Sequence, residues 1–424
     1  MKSPEFISVT GKGKLFYDDS SLESNFVLGL NPYFIVIVPE GVPLLERLAV
    51  AYSKTIRFSG TLDDGRMVKA DVLQFRKTQP FEFAALEGIC IGQEKNTPPD
   101  ESRYPLTGYF DGQFALVHNG WDISIIPCKS PETSEAITEK WRCPVDGMVL
   151  RLRRKDSTMD QHRDFARVVM NLLSLARGTG VSFYRHFFAW ADEELEIWRH
   201  MAGDEIGPGP IVPALEMGKF IEQTLPAWET LSQEQQKVLH LALTYINLSG
   251  LGYLDTKLFH IVQPWEFLAE AWGMHGEMSD SITCLRSRLK QAVKQWKEEY
   301  PDADSDGSWG NRIFLIFKWI KLRDAIERLS TFFGLDLERV GLDLNKLKEA
   351  RDRVAHSGKL PDQISAADKP ALDLLFTVQY CLQLLLLRML AYQGRVYHAS
   401  DGVRTIMDID QALKTARIWR QPKK

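Results

Sequence analysis

Arg351, Asp352 and His356 fall within two helical turns of one another in the stretch EARDRVAHSG, Glu349–Gly358. Side chains of these types can grip a phosphate, fix an imidazole and move a proton near neutral pH. On a wheel at about 100° per residue, LDLNKLKEARDRVAHSG carries Leu344, Leu347, Ala350, Val354 and Ala355 in one apolar stripe. Arg351 falls inside that stripe, whereas Arg353 falls among the polar positions. A guanidinium there requires a carboxylate, a second subunit or an anionic ligand. Asp352 and His356 are i,i+4 neighbours, so the carboxylate can hold one ring nitrogen and set the tautomer. Ser357-Gly358 and then Pro361 end the helix, leaving His356 in the last turn, where the dipole favours the imidazolium. On an ideal helix Arg351 and His356 point about 140° apart. Either the last turn unwinds or two copies pair to build a shared site. A structural salt bridge at Arg351 and a helix-end cap at His356 fit the same spacing.

The elements that must position these residues divide the chain. Residues 1–155 read as β-rich. Asp64-Gly65 and Asn119-Gly120 stand between alternating segments as hairpin turns, and FIVIV (Phe34–Val38) is a short apolar strand. Near Asp156 the period changes. DQHRDFARVVMNLLSLARG carries Phe165, Val168, Val169, Leu172 and Leu173 at helical spacing and stops at Gly178. The breaker GDEIGPGPIVP (Gly203–Pro213) follows, and everything beyond it reads as helix, over roughly 214–227, 232–249, 256–273, 281–298, 312–334, 343–357 and 369–393. The expected organisation is a β-rich domain over 1–155, a helical connector over 156–225 and an antiparallel helical bundle over 226–424. The fold class is α+β multidomain.

Composition sets outer limits. The chain has 424 residues, 25% of them charged, with a net charge of −4, so any nucleic-acid site must be local. Its five cysteines are scattered without CxxC spacing and are expected to be reduced thiols. MKSPEFISVTGKGK has no apolar leader core, and the expectation is a cytoplasmic protein. The apolar run CLQLLLLRML (Cys381–Leu390) is too short to span a bilayer and is expected to be a buried helix, so no membrane partner is expected.

Arg351-Asp352-x-x-x-His356 resembles the R-polar-x3-H form of the Rx4–6H motif of HEPN domains. YLDTKLFHIVQPWEFLAEAW (Tyr253–Trp272) resembles an early HEPN helix, and a long Leu-rich helix, Ala371–Leu390, follows the motif. A β-rich domain ahead of the bundle is similar to the ApeA-type HEPN proteins of bacterial anti-phage defence. Many active members carry Asn where this chain has Asp352. The resemblance implies an up-and-down helical bundle through which the chain forms a homodimer or higher oligomer, and which cuts RNA without a cofactor or metal. His356 would move the 2′-OH or 5′-oxygen proton, with Asp352 beside it, and Arg351 would hold the scissile phosphate. Because the 2′-OH attacks, DNA would be spared and the products would end in 2′,3′-cyclic phosphate and 5′-OH. The implied roles are abortive infection or toxicity, with tRNA, messenger RNA or ribosomal RNA as target and a phage-derived trigger at the N-terminal domain. Other readings are a non-catalytic HEPN module that binds RNA or nucleotide, and a dimeric scaffold.

RNA requires cations nearby. Arg286, Lys290, Lys294 and Lys297 share a helix face, and Arg353 lies on the polar side of the motif helix. RLRRK (Arg151–Lys155) and the tail KTARIWRQPKK are further basic clusters, each also readable as a solvated face or frayed end. PDADSDG (Pro301–Gly307) imitates half a calcium loop but has Ile313 where a bidentate glutamate belongs, so an acidic surface loop is expected. TGKGKL (Thr10–Leu15) lacks the phosphate-cradle pattern. His186 and His240 are expected in core or interface packing, and no histidine set has zinc spacing.

Overall fold

A computed structural model describes residues 7–30, 35–51, 53, 56–78, 81–86, 88–106, 112–127, 148–178, 180–181, 183, 185–191, 193–198, 209–248, 254–274, 280–300, 322–349, 369–400 and 403–415. The chain forms two compact units, Met1–Pro226 and Ala227–Lys424. The first holds an antiparallel β-sheet and the second is mostly helical, an α+β multidomain architecture.

Among the described residues, fourteen strands of the first unit join one sheet in the order β10 (Phe114–His118), β11 (Trp121–Pro127), β12 (Met148–Arg153), β9 (Glu101–Pro105), β13 (Arg185–Ala189), β14 (Glu194–Trp198), β8 (Ile89–Ile91), β5 (Met67–Ala70), β4 (Ile56–Leu62), β1 (Ile7–Tyr17), β2 (Ser20–Leu30), β3 (Ile35–Pro39), β7 (Phe81–Ala85) and β6 (Leu73–Thr78). Strands β1 (Ile7–Tyr17) and β2 (Ser20–Leu30) form its longest hairpin. The glycines of TGKGKL lie inside β1, not in a loop. A Cβ on Gly13 would sit 2.5 Å from the Phe58 ring, and one on Gly11 2.3 Å from the Thr61 carbonyl oxygen. Glycine here makes room for Phe26 and Phe58, packed edge to face at 4.7 Å. At the sheet's far end, Asn119 and Gly120 take φ of 47° and 79° between β10 (Phe114–His118) and β11 (Trp121–Pro127). Two positive φ values are what a tight primed hairpin turn needs.

The buried face of the sheet changes sides at β14 (Glu194–Trp198). Trp198 joins the core of Leu15, Phe26, Phe58, Ile89 and Ile91, whereas Leu195 and Ile197 point the other way and pack with Phe188. Alternating side chains put these sets on opposite faces, so β14 is covered on both. The second core is roofed by helix α2 (Met159–Arg177), which follows α1 (Leu44–Ala51). Thr158 and Gln161 form a capping box at the start of α2, and Gly178 at φ 67° ends it.

Residues 156–225 are therefore not a helical connector. Besides α2 and the first nine residues of α3 (Met217–Thr230), they supply β13 (Arg185–Ala189) and β14 to the main sheet. The expectation failed because β13 pairs with β9 (Glu101–Pro105), far back in the sequence, and local periodicity does not report such pairing.

In the second unit, α4 (Gln233–Leu248), α5 (Leu254–Ala271), α6 (Asp280–Glu299), α7 (Leu322–Phe332), a helical segment α8 at 344–349 and α9 (Lys369–Met389) succeed one another. Residues 381–387 of α9 are all buried. The helix extends well beyond the run at Cys381–Leu390 and is long and apolar enough to cross a membrane, but most of it is buried within the protein, as a core helix is. Not everything beyond Pro213 is helix. Strands β15 (Arg395–Ser400) and β16 (Val403–Asp408) form a hairpin, followed by α10 (Ile409–Ala412).

Candidate functional site

Helix α8 leads into the motif. Asp343 accepts the backbone N–H groups of Asn345 (2.9 Å) and Lys346 (3.2 Å), an aspartate cap on the first turn. Arg323 of α7 reaches Asn345 Oδ1 at 3.2 Å and pairs with Glu327 at 2.9 Å, tying α8 to its neighbour. Leu342, Leu344 and Leu347 are buried, while Asn345, Lys346, Lys348 and Glu349 are exposed. The apolar stripe drawn from the sequence is thus the buried side of this helix as far as Glu349. Arg351, Asp352, Arg353 and His356 lie outside the described residues, as do PDADSDG and the basic tail beyond Thr415.

Helix α6 carries the cationic face. Lys290 and Lys294 are exposed and Lys297 is half-buried; the Arg286 side chain lies outside the described residues. Lys294 makes a loose 3.9 Å pair with Glu298, both largely solvated. Such a pair neutralises little in water. Among the described side chains of α6, none is buried.

The RLRRK cluster has a different environment. Glu101, nearly buried, receives Nε of both Arg151 and Arg153 on one carboxylate oxygen, and Arg103 lies 3.3 Å from the other. Arg103 also reaches Glu194 at 2.8 Å, and Arg154 lies over the Trp121 ring at 5.3 Å. Farther along the same face, Glu196 takes Arg185 (2.5 Å), Arg66 (3.6 Å) and the Trp198 indole N–H. Charges of both signs interlock across β12 (Met148–Arg153), β9, β13 and β14, so most of these arginines are paired with carboxylates across the strands, although the arginines outnumber the glutamates. The two-residue spacing of Glu101–Arg103 and Arg151–Arg153 carries the signal in sequence: like-facing charges on paired strands.

Two buried histidine pairs were not foreseen as such. His162 Nδ1 lies 2.7 Å from Ser102 Oγ, with both residues at 0% exposure. The ring abuts Trp121 edge-on at 4.8 Å, and its Nε2 has no hydrogen-bond partner. Burial, with a smaller contribution from Arg154, pushes its pKa down to about 4. With serine and histidine sealed from solvent, this pair is packing and not a nucleophile with its base. In the second unit, His398 Nδ1 lies 2.8 Å from Tyr380 Oη, both buried. Burial also lowers the pKa of His260. His186 is buried and stacked on Tyr104 at 5.6 Å, as expected, whereas His240 is exposed on α4 and not in the core. Among the described residues no group of His, Cys, Asp and Glu could hold a metal ion.

The chain matches no family model, no curated protein and no solved structure.

Proposed function

We propose that the chain is an RNA endonuclease of HEPN type that works without a metal cofactor, through Arg351, Asp352 and His356, as a homodimer acting in anti-phage defence. The observation that carries the reading is the register of α8. Its buried stripe, Leu344 and Leu347, is the stripe on which the Arg351 position falls when the wheel is continued. A guanidinium on an apolar stripe, followed by an imidazole at the helix end, supplies the two groups that phosphodiester cleavage by the 2′-OH requires. Arg351 would neutralise charge on the phosphorane-like transition state. His356, steadied by Asp352, would take the 2′-OH proton or give one to the leaving 5′-oxygen. Lys290, Lys294 and Lys297, with Arg286 and Arg353, would hold the RNA backbone. The sheet unit would receive the trigger.

The test is growth of cells expressing the wild type, Arg351→Ala or His356→Ala. Arrest by the wild type alone supports the reading. Arrest by all three, with cleaved RNA, overturns the assigned roles. If Arg351→Ala abolishes RNA binding, His356→Ala does not, and no RNA is cut, the non-catalytic binding module replaces the nuclease.

A further inference from the structure

The strongest feature outside the motif is the stretch of α6 that precedes its terminal Glu298 and Glu299. From Cys284 to Lys297 it carries Arg286, Arg288, Lys290, Lys294 and Lys297 and no acidic residue. On a helical wheel Arg286, Lys290, Lys294 and Lys297 fall within an arc of about 80°. They form a row whose Cα positions span about 16 Å at 1.5 Å per residue. Beside this row stand two aromatics one turn apart. Trp296 is 37% exposed and Tyr300 is 56% exposed, and the Tyr300 amide still donates to the Trp296 carbonyl at 2.9 Å, so the helical turn continues through both. Large aromatics held this open at the end of a helix are an unusual use of surface.

We infer that Trp296 and Tyr300, with the cation row beside them, form a docking strip for unpaired RNA: bases stack on the two rings and phosphates lie along the lysines. This rests on the proposed function and names the form of RNA that it takes. The chemistry favours unpaired RNA over the alternatives. Bases of an A-form duplex are stacked away from side chains in a deep, narrow groove, so a duplex would engage the lysines and leave the rings unused. Aromatic rings beside a cationic track are what single strands use, because every base has a face to stack. A lipid surface needs a continuous open apolar face, and here Leu289 and Val293, between Leu285 and Trp296, are already half-buried. A second copy laid along the same row would set like charges against each other.

The experiment measures binding by fluorescence anisotropy in a His356→Ala background, with labelled oligouridylate, a duplex RNA of equal length and phosphatidylserine vesicles as probes. Oligouridylate is expected to bind more tightly than the duplex. Trp296→Ala and Tyr300→Ala are each expected to weaken oligouridylate binding about tenfold without changing duplex binding. Trp296→Phe should restore most of the loss. Replacing Lys290 and Lys294 by Gln should reduce the slope of log K against log salt by about 1.4 for the single strand. Circular dichroism should show every variant folded, since none of these side chains is buried. The inference is overturned if both aromatic variants bind oligouridylate as the parent does, or if vesicles bind more tightly than RNA and compete for the strip. Cleavage separates it from the nuclease reading. An active wild type whose aromatic variants bind and cut RNA equally well sinks the strip alone. Oligouridylate binding as described, with no cleavage by the wild type, sinks the nuclease alone.

Discussion

Acidification should destabilise the sheet unit through one buried imidazole. His162 is fully buried, its Nδ1 is committed to Ser102 at 2.7 Å and its Nε2 faces no acceptor. Whichever ring nitrogen takes the proton, the imidazolium leaves its Nε2–H without an acceptor and gains no counter-ion, and Arg154 repels the resulting charge. The folded-state pKa of about 4 lies below the ordinary 6.5. Protonation thus favours the unfolded chain. The contribution is fully present above the unfolded value and is lost as pH falls from 6.5 towards 4. Linkage puts the loss at about 1.4 kcal/mol by pH 5.5 and about 2.5 kcal/mol by pH 4.5. The assay is urea unfolding of the wild type and His162→Gln at pH 7.5, 5.5 and 4.5, followed by tryptophan fluorescence. Taking the difference between the two proteins removes the carboxylates, which titrate in both. The gap between them should close by those amounts as the pH drops. Parallel stability curves, or an NMR titration of His162 centred at 6 or above, would refute the reasoning.

Other outcomes follow from the same packing. Glu101→Gln leaves Arg151, Arg153 and Arg103 without their shared carboxylate and should cost about 2 kcal/mol in urea unfolding, a value set between exposed and buried pairs. Tyr380→Phe strips the buried hydroxyl from His398 and should destabilise the helical unit by about 1–2 kcal/mol, read as a lower unfolding midpoint. Leu385→Asp puts a charge at a position with 0% exposure in α9 and should abolish the cooperative transition of that unit by calorimetry.

What could be read from sequence was local. Asn119-Gly120 declared its turn because few other residues accept two positive φ values, and α2 declared its end at Gly178 for the same steric reason. The leucine stripe of α8 was legible because 3.6-residue periodicity needs only the helix itself. Strands β13 and β14 were hidden: RHFFA has aromatic or imidazole rings on both faces, and its partner β9 is some eighty residues away. The hairpin β15–β16 was masked by helical neighbours, although Asp401-Gly402 between alternating runs is the signal that marks the turn at Asp64-Gly65. The sequence reading of RLRRK counted charges without partners. Glu101 and its register opposite Arg153 turned an apparent cationic patch into an interlocked one. Trp296 and Tyr300 went unremarked because aromatic residues at helical spacing ordinarily mark a core, and only their exposure separates the two cases.

The central claim meets its most direct test in the chemistry of the cut ends. Purified wild-type protein, incubated with RNA in excess EDTA, should leave fragments ending in 2′,3′-cyclic phosphate and 5′-OH, and His356→Ala or Arg351→Ala should leave the RNA intact. Fragments bearing 3′-OH and 5′-phosphate, or cleavage that EDTA abolishes or that survives His356→Ala, would contradict it.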